Sequence, residues 1–157
     1  MTNSGTPAPG IPSAASVGGT LPGVVVAGHG DFAAGMRDAV ERVAGAQERL
    51  ATVSNHGLDA ERIVAVLVEA VDRVRADVIF TDLPAGSCTL AARRLAKTRG
   101  NISVVTGANL PMLLDFLLKG RTGSAGAAVA AAKGREAITV ESAALAPMTD
   151  TDVARGG

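Results

Sequence analysis

The 157-residue chain contains no tryptophan, no tyrosine and three phenylalanines. It therefore offers no aromatic platform on which bases could stack. It also lacks an excess of either charge, since 15 basic residues balance 15 acidic ones and no basic stripe is visible. Nucleic acid is accordingly not expected as a partner. Cys88 is the only cysteine, which excludes an internal disulfide and fits a reducing compartment. No apolar run reaches the roughly 18 residues that a bilayer span requires. The N-terminus has no basic region followed by an apolar stretch, so no signal peptide is read there and the cytoplasm is the expected location. What is abundant is small and aliphatic: apolar residues make up 47% of the chain, mostly Ala, Val and Leu. That supplies one core, and the length supports one domain.

Residues 1–21 are dense in Pro, Gly, Ser, Thr and Ala and are expected to form a disordered arm. Residues 142–157 return to a similar character and are expected to form a flexible tail. Between them, over residues 22–141, strand and helix patterns alternate. Residues 23–28 (GVVVAG) read as a fully buried strand. Phe32, Met36, Val40 and Val43 recur at helical spacing, which predicts an amphipathic helix over 31–45. Residues 49–54 form a weaker second strand. Asp59 then caps a helix whose apolar stripe runs from Ile63 through Val64, Leu67, Val68 and Val71 to Val74. Residues 77–81 (DVIFT) and 102–106 (ISVVT) are strands on either side of a helix from Ser87 to about Lys97. Asn109 caps a helix with Pro111 in its first turn, and Gly120 stops it. An alanine-rich helix over 123–133 ends at Gly134, and 136–140 (EAITV) read as a last short strand.

Four strand–helix units with short connections predict an α/β fold, a doubly wound, mainly parallel sheet covered on both faces. In such a sheet ligands bind beyond the carboxyl ends of the strands, where the strand order reverses. The residues to weigh are therefore those in the loops after the strands. His29 lies between Gly28 and Gly30 directly after the first strand, where small neighbours permit close approach of another backbone. Asp82 ends the third strand, and in this topology the first and third strands are usually neighbours. A carboxylate accepting one ring N–H would fix the tautomer and leave the other nitrogen as a nucleophile. The plainer alternatives are a solvent-facing His and an Asp that caps the turn before Pro84. Gly86 and Ser87 open the third helix and make an anion cradle, unless Ser87 is simply an N-cap. Cys88, in the same first turn, reads as a small buried residue rather than a thiolate nucleophile, and His56 as a surface residue. Neither a Walker loop nor a dinucleotide fingerprint is present. No cofactor or metal is expected.

These residues taken together resemble the IIA components of the mannose-fructose-sorbose family of the bacterial phosphotransferase system. The resemblance rests on Val24 to Gly30 (VVVAGHG), on Asp82 to Ser87 (DLPAGS), on Gly107-x-Asn109-x-Pro111-Met112-Leu113 and on Gly134-Arg135-Glu136. It implies that His29 accepts a phosphoryl group from the phosphocarrier HPr and passes it to a IIB component. That component would serve a membrane IIC–IID permease, which phosphorylates an incoming sugar. It further implies that Asp82 partners His29, that Gly28, Gly30, Gly86, Ser87 and Asn109 support or bind the phosphate, and that a homodimer forms partly by exchange of residues 136–140. Ala85 and Cys88 depart from the family's usual Gly and Pro, and the N-terminal arm and the lack of a following IIB domain are further departures. The competing readings are the phosphoryl-transfer subunit of a dihydroxyacetone kinase, a tetrapyrrole metal chelatase, which would need more ligands than two histidines supply, and a regulatory module that has lost transfer.

Overall fold

The computed structural model describes residues 20–142, so the arm and the tail, apart from Thr20, Leu21 and Ser142, lie outside the described residues. The elements are β1 (Val24–Gly28), α1 (Phe32–Ala44), β2 (Leu50–Ser54), α2 (Ala60–Val74), β3 (Val78–Thr81), α3 (Ser87–Arg99), β4 (Ser103–Thr106), α4 (Leu110–Leu118) and α5 (Gly123–Glu136). All strand pairs are parallel, in the order β2-β1-β3-β4.

The strand residues alternate between two cores. Val25, Ala27 and Ile79 face α2 and α3, while Val24, Val26, Val78 and Phe80 face α1, α4 and α5. Because both faces are covered, the strands are continuous apolar runs rather than alternating ones. On the second face Phe80 and Phe116 meet edge to face, with ring centroids 5.3 Å apart at 80°, a preferred aromatic geometry. Asp59 and Asn109 cap α2 and α4 as the sequence predicts, each accepting a backbone N–H in the first turn, from Arg62 and Met112 respectively.

The last segment differs from expectation. Gly134 does not stop α5, and the helix runs on to Glu136. The reason is packing: a Cβ at Gly134 would lie 2.8 Å from both Asn109 Oδ1 and Met112 Cε. Glycine here lets α5 approach α4 closely, and that contact outweighs its weak helix propensity. Residues 136–140 therefore form no strand within the chain. Ile138 is 71% exposed and Val140 81% exposed, because a β-branched run becomes a strand only where another backbone pairs with it. The sheet has four strands, and β4 is half-buried along its whole length. A groove of about 380 Å³ runs along β4 and α5, past Val105, Ala127, Ala131 and Arg135.

Gly134→Val should overpack the α4–α5 contact and lower stability by about 1–3 kcal/mol. Urea unfolding should show a reduced midpoint with an unchanged slope, and an unchanged midpoint would show that the contact is not tight.

Candidate functional site

The direction of chain winding reverses between β1 and β3, which pair directly with Ala27 opposite Thr81. Gly28 and Asp82 therefore stand at the same level at the carboxyl ends of the two strands, and His29 emerges beside Asp82. His29 Nδ1 is 2.8 Å from Asp82 Oδ2, and the backbone N–H of His29 donates to the same oxygen at 2.9 Å. The backbone N–H of Leu83 donates to Asp82 Oδ1 at 2.9 Å. The carboxylate is thus held at both oxygens.

Burial pushes the Asp82 carboxyl upward, but the N–H and ring of His29, with the Leu83 N–H, outweigh it and hold the group below its usual range. An ionised carboxylate only accepts hydrogen bonds. Nδ1 is therefore the donor in this contact, and the tautomer it selects has its acceptor lone pair on Nε2. The side chains are 46% exposed for His29 and 12% for Asp82, so the imidazole is open to solvent while the carboxylate that holds it is largely enclosed.

Two glycines make this arrangement possible. A Cβ on Gly28 would lie 3.0 Å from the Asp82 carboxyl carbon and 2.5 Å from the Phe32 ring, so any side chain there would push strand and carboxylate apart. A Cβ on Gly86 would lie 3.0 Å from His29 Cε1 and 3.6 Å from Nε2. The imidazole rests against the backbone that opens α3. Gly86 is the N-cap of α3 and Ser87 its first residue, with no side-chain cap bond. Ser87 is therefore not serving as an N-cap, and no side chain caps the first-turn N–H groups, which have no intrahelical acceptor, at the helix end against which the imidazole rests. Ala85 keeps an ordinary negative φ, so its lack of glycine freedom costs the loop nothing.

Other residues divide clearly. Cys88 is fully buried, its thiol is directed at the Gly28 carbonyl with Sγ 3.7 Å away, and burial pushes its pKa up. It is the small buried residue the sequence suggested. Asn109 is committed elsewhere: its Oδ1 accepts from the Met112 N–H at 3.1 Å, and its Nδ2 donates to the Gly134 carbonyl at 2.9 Å. It joins α4 to α5, and none of its hydrogen bonds reaches His29. Gly30 has φ 52°, a turn conformation that favours glycine, and its carbonyl accepts from Ser54 Oγ at 2.7 Å. His56 is exposed.

Sequence reasoning missed the contacts of two residues, Asn55 and Thr89. Asn55 Nδ2 donates to Ser87 Oγ at 3.1 Å. Thr89 Oγ1 lies 2.6 Å from the Leu83 carbonyl and 2.8 Å from Thr81 Oγ1, pinning the loop that carries Asp82. The position of Asn55 in a loop at the carboxyl end of the sheet was the available signal. Nothing in the sequence singles out Thr89. No group of three or more His, Cys, Asp or Glu side chains able to hold a metal occurs among the described residues, nor does a helix long and apolar enough to cross a membrane.

A family model described as the phosphotransferase system (PTS) fructose IIA component, EIIA-man, matches residues 23–133. The chain belongs to this family. Solved structures agree in fold. The phosphotransferase-system component EIIA from Streptococcus agalactiae is 21% identical with a TM-score of 0.71, over 76% of this chain and 97% of that one. A putative phosphoenolpyruvate-dependent sugar phosphotransferase-system permease from Klebsiella pneumoniae is 24% identical with a TM-score of 0.68, over 80% and 95%. The mannose/sorbose-specific IIA subunit from Enterococcus faecalis is 19% identical with a TM-score of 0.68, over 78% and 96%. No curated protein sequence matches the chain. The chain is a IIA component of the mannose family of the sugar phosphotransferase system.

The Asp82 contact makes a pH prediction. Its folded pKa is depressed below the ordinary 3.8, so the stability it contributes is present above pH 3.8 and is lost as pH falls through the depressed value. Asp82→Asn should be less stable than the parent near neutrality, and the difference should close only below about pH 3.8. Urea midpoints across pH 3–7 would check this; a difference that closes between pH 7 and 5 would contradict it.

Proposed function

We propose that this chain is a cytoplasmic phosphoryl carrier that takes a phosphoryl group from HPr on His29 and delivers it to a IIB component, which serves a IIC–IID permease. The observation that carries this reading is the 2.8 Å contact between His29 Nδ1 and Asp82, with Nε2 left open beside the α3 N-terminus. In the transfer, the Nε2 lone pair attacks phosphorus. The P–N bond to the donor's histidine breaks, its electron pair returns to the donor ring, and the P–Nε2 bond forms. Nδ1 keeps its proton throughout. The His29 ring, cationic once phosphorylated, is stabilised by the Asp82 carboxylate against which it already rests. The phosphoryl oxygens fall to the free N–H groups of α3 and to Ser87, where backbone donors and the helix dipole both favour an anion. Passage to the acceptor reverses the same step. Asp82 orients and stabilises, and does not itself exchange a proton.

His29→Ala should abolish uptake of phosphate from phosphorylated HPr, read by intact mass. The label on the parent protein should be acid-labile and base-stable, as a phosphoramidate is. Asp82→Asn should slow transfer about 10²–10⁴-fold, the range of positioned acid–base partners. Unchanged uptake by His29→Ala would overturn the reading, and normal transfer by Asp82→Asn would show that the pair is not functional.

The proposal includes a homodimer in which the segment after α5 pairs with the partner's sheet. Its support is the open β4 edge with its groove and the exposed Ile138 and Val140. An exchanged strand would cover both and give a two-fold interface. A chain ending at Ala137 should be a monomer or aggregate by light scattering. A stable dimer from that chain would rule the exchange out.

A further inference from the structure

The loop after β2 belongs to the site, although no step described above uses it. Ser54 ends β2 opposite Gly28, the last residue of β1. The next residue, Asn55, donates its backbone N–H to the Gly28 carbonyl at 3.2 Å, and its carbonyl accepts from Leu58 N–H at 3.1 Å. Its main chain is therefore tied to the residue before His29. Its side chain is half-buried and turns toward α3, where Nδ2 donates to Ser87 Oγ at 3.1 Å. One asparagine thus bridges the strand that presents His29 and the helix end that receives the anion.

The polarity of that bond matters. A serine hydroxyl has one proton and two lone pairs, and it rotates to suit its neighbours. A donor at Oγ occupies a lone pair and leaves the hydroxyl proton without a role in the contact. The proton is then left for another acceptor, and Ser87 directly follows Gly86, whose backbone stands against the His29 ring. We propose that Asn55 is a positioning residue that presets the Ser87 hydroxyl as a donor to the phosphoryl group on His29. This rests on the phosphoryl-carrier reading and adds to it the group that orients the serine. Asn55 makes no contact with the phosphoryl group itself. It acts only through Ser87 and spares the site the cost of orienting a free rotor at the moment of transfer.

Two substitutions separate this role from a general one. Asn55→Ala leaves the hydroxyl free to turn. Asn55→Asp places an acceptor where a donor stood, so the Ser87 proton is drawn away from the phosphoryl group. The test follows labelling of His29 by two donors, phosphorylated HPr and the small molecule phosphoramidate, with parent, Asn55→Ala, Asn55→Asp, Ser87→Ala and the Asn55→Ala/Ser87→Ala double variant. Asn55→Ala should lower the saturated rate about three- to tenfold, the size of one neutral hydrogen bond, with the half-saturating HPr concentration unchanged. Asn55→Asp should be slower still. The double variant should be no slower than Ser87→Ala alone, because a residue acting only through the serine has nothing left to orient. Effects that multiply in the double variant, or an Asn55→Asp that matches the parent, overturn the inference while leaving the carrier reading intact. Absence of His29 labelling in the parent by either donor overturns both.

Discussion

The contact between the His29 ring and the Asp82 carboxylate joins the ends of two strands that are 53 residues apart in sequence. It exists because β1 and β3 pair in a register that brings Gly28 and Asp82 level, and because Gly28 has no side chain to keep them apart. The carboxylate in turn needs the contact. A largely enclosed carboxylate is costly unless hydrogen-bonded, and here both of its oxygens receive backbone or ring N–H groups. Site and scaffold are thus one construction: whatever shifts β3 against β1 unpairs a largely enclosed charge and releases the imidazole together.

The same device recurs elsewhere, with glycine at the point of closest approach. At Gly86 it lets the imidazole rest on the opening turn of α3, and at Gly134 it lets α5 settle on α4 around the Asn109 amide. The chain has few aromatics, so it builds tight junctions from backbone and small side chains instead of large interlocking rings. The exposed ion pairs Asp38–Arg42 and Lys133–Glu136 add little by comparison, because water and salt screen such pairs. The free donors of α3 remain available to an anion because no side chain caps them.

Most of the sheet was legible in the sequence because strands buried on both faces leave an unambiguous mark: short β-branched runs between turn residues. The adjacency of His29 and Asp82 was suggested by topology, since the first and third strands of a doubly wound sheet are usually neighbours, but topology left a turn-capping Asp82 equally open, and the family resemblance favoured the pair. Three features were not legible, for different reasons. Gly134 looks like a helix stop, yet it lies inside α5 because tertiary packing overrides local propensity. Residues 136–140 have strand composition, but a strand also needs a neighbour, and composition does not say where that neighbour is. Asn109 was recognisable as a cap, but not the direction of its second hydrogen bond, which goes to Gly134 and away from His29. Likewise, the Asn55–Ser87 contact depends on how far one amide reaches across the crevice, a distance that only three-dimensional structure supplies.

The central claim is that Asp82 holds the Nδ1 proton and thereby leaves Nε2 to carry the phosphoryl group. Nuclear magnetic resonance of protein with ¹⁵N-labelled imidazoles, phosphorylated through HPr, tests it most directly. The account predicts phosphorus coupled to Nε2 of His29, with the proton retained on Nδ1. Phosphorus bonded to Nδ1, or to any residue other than His29, would contradict it.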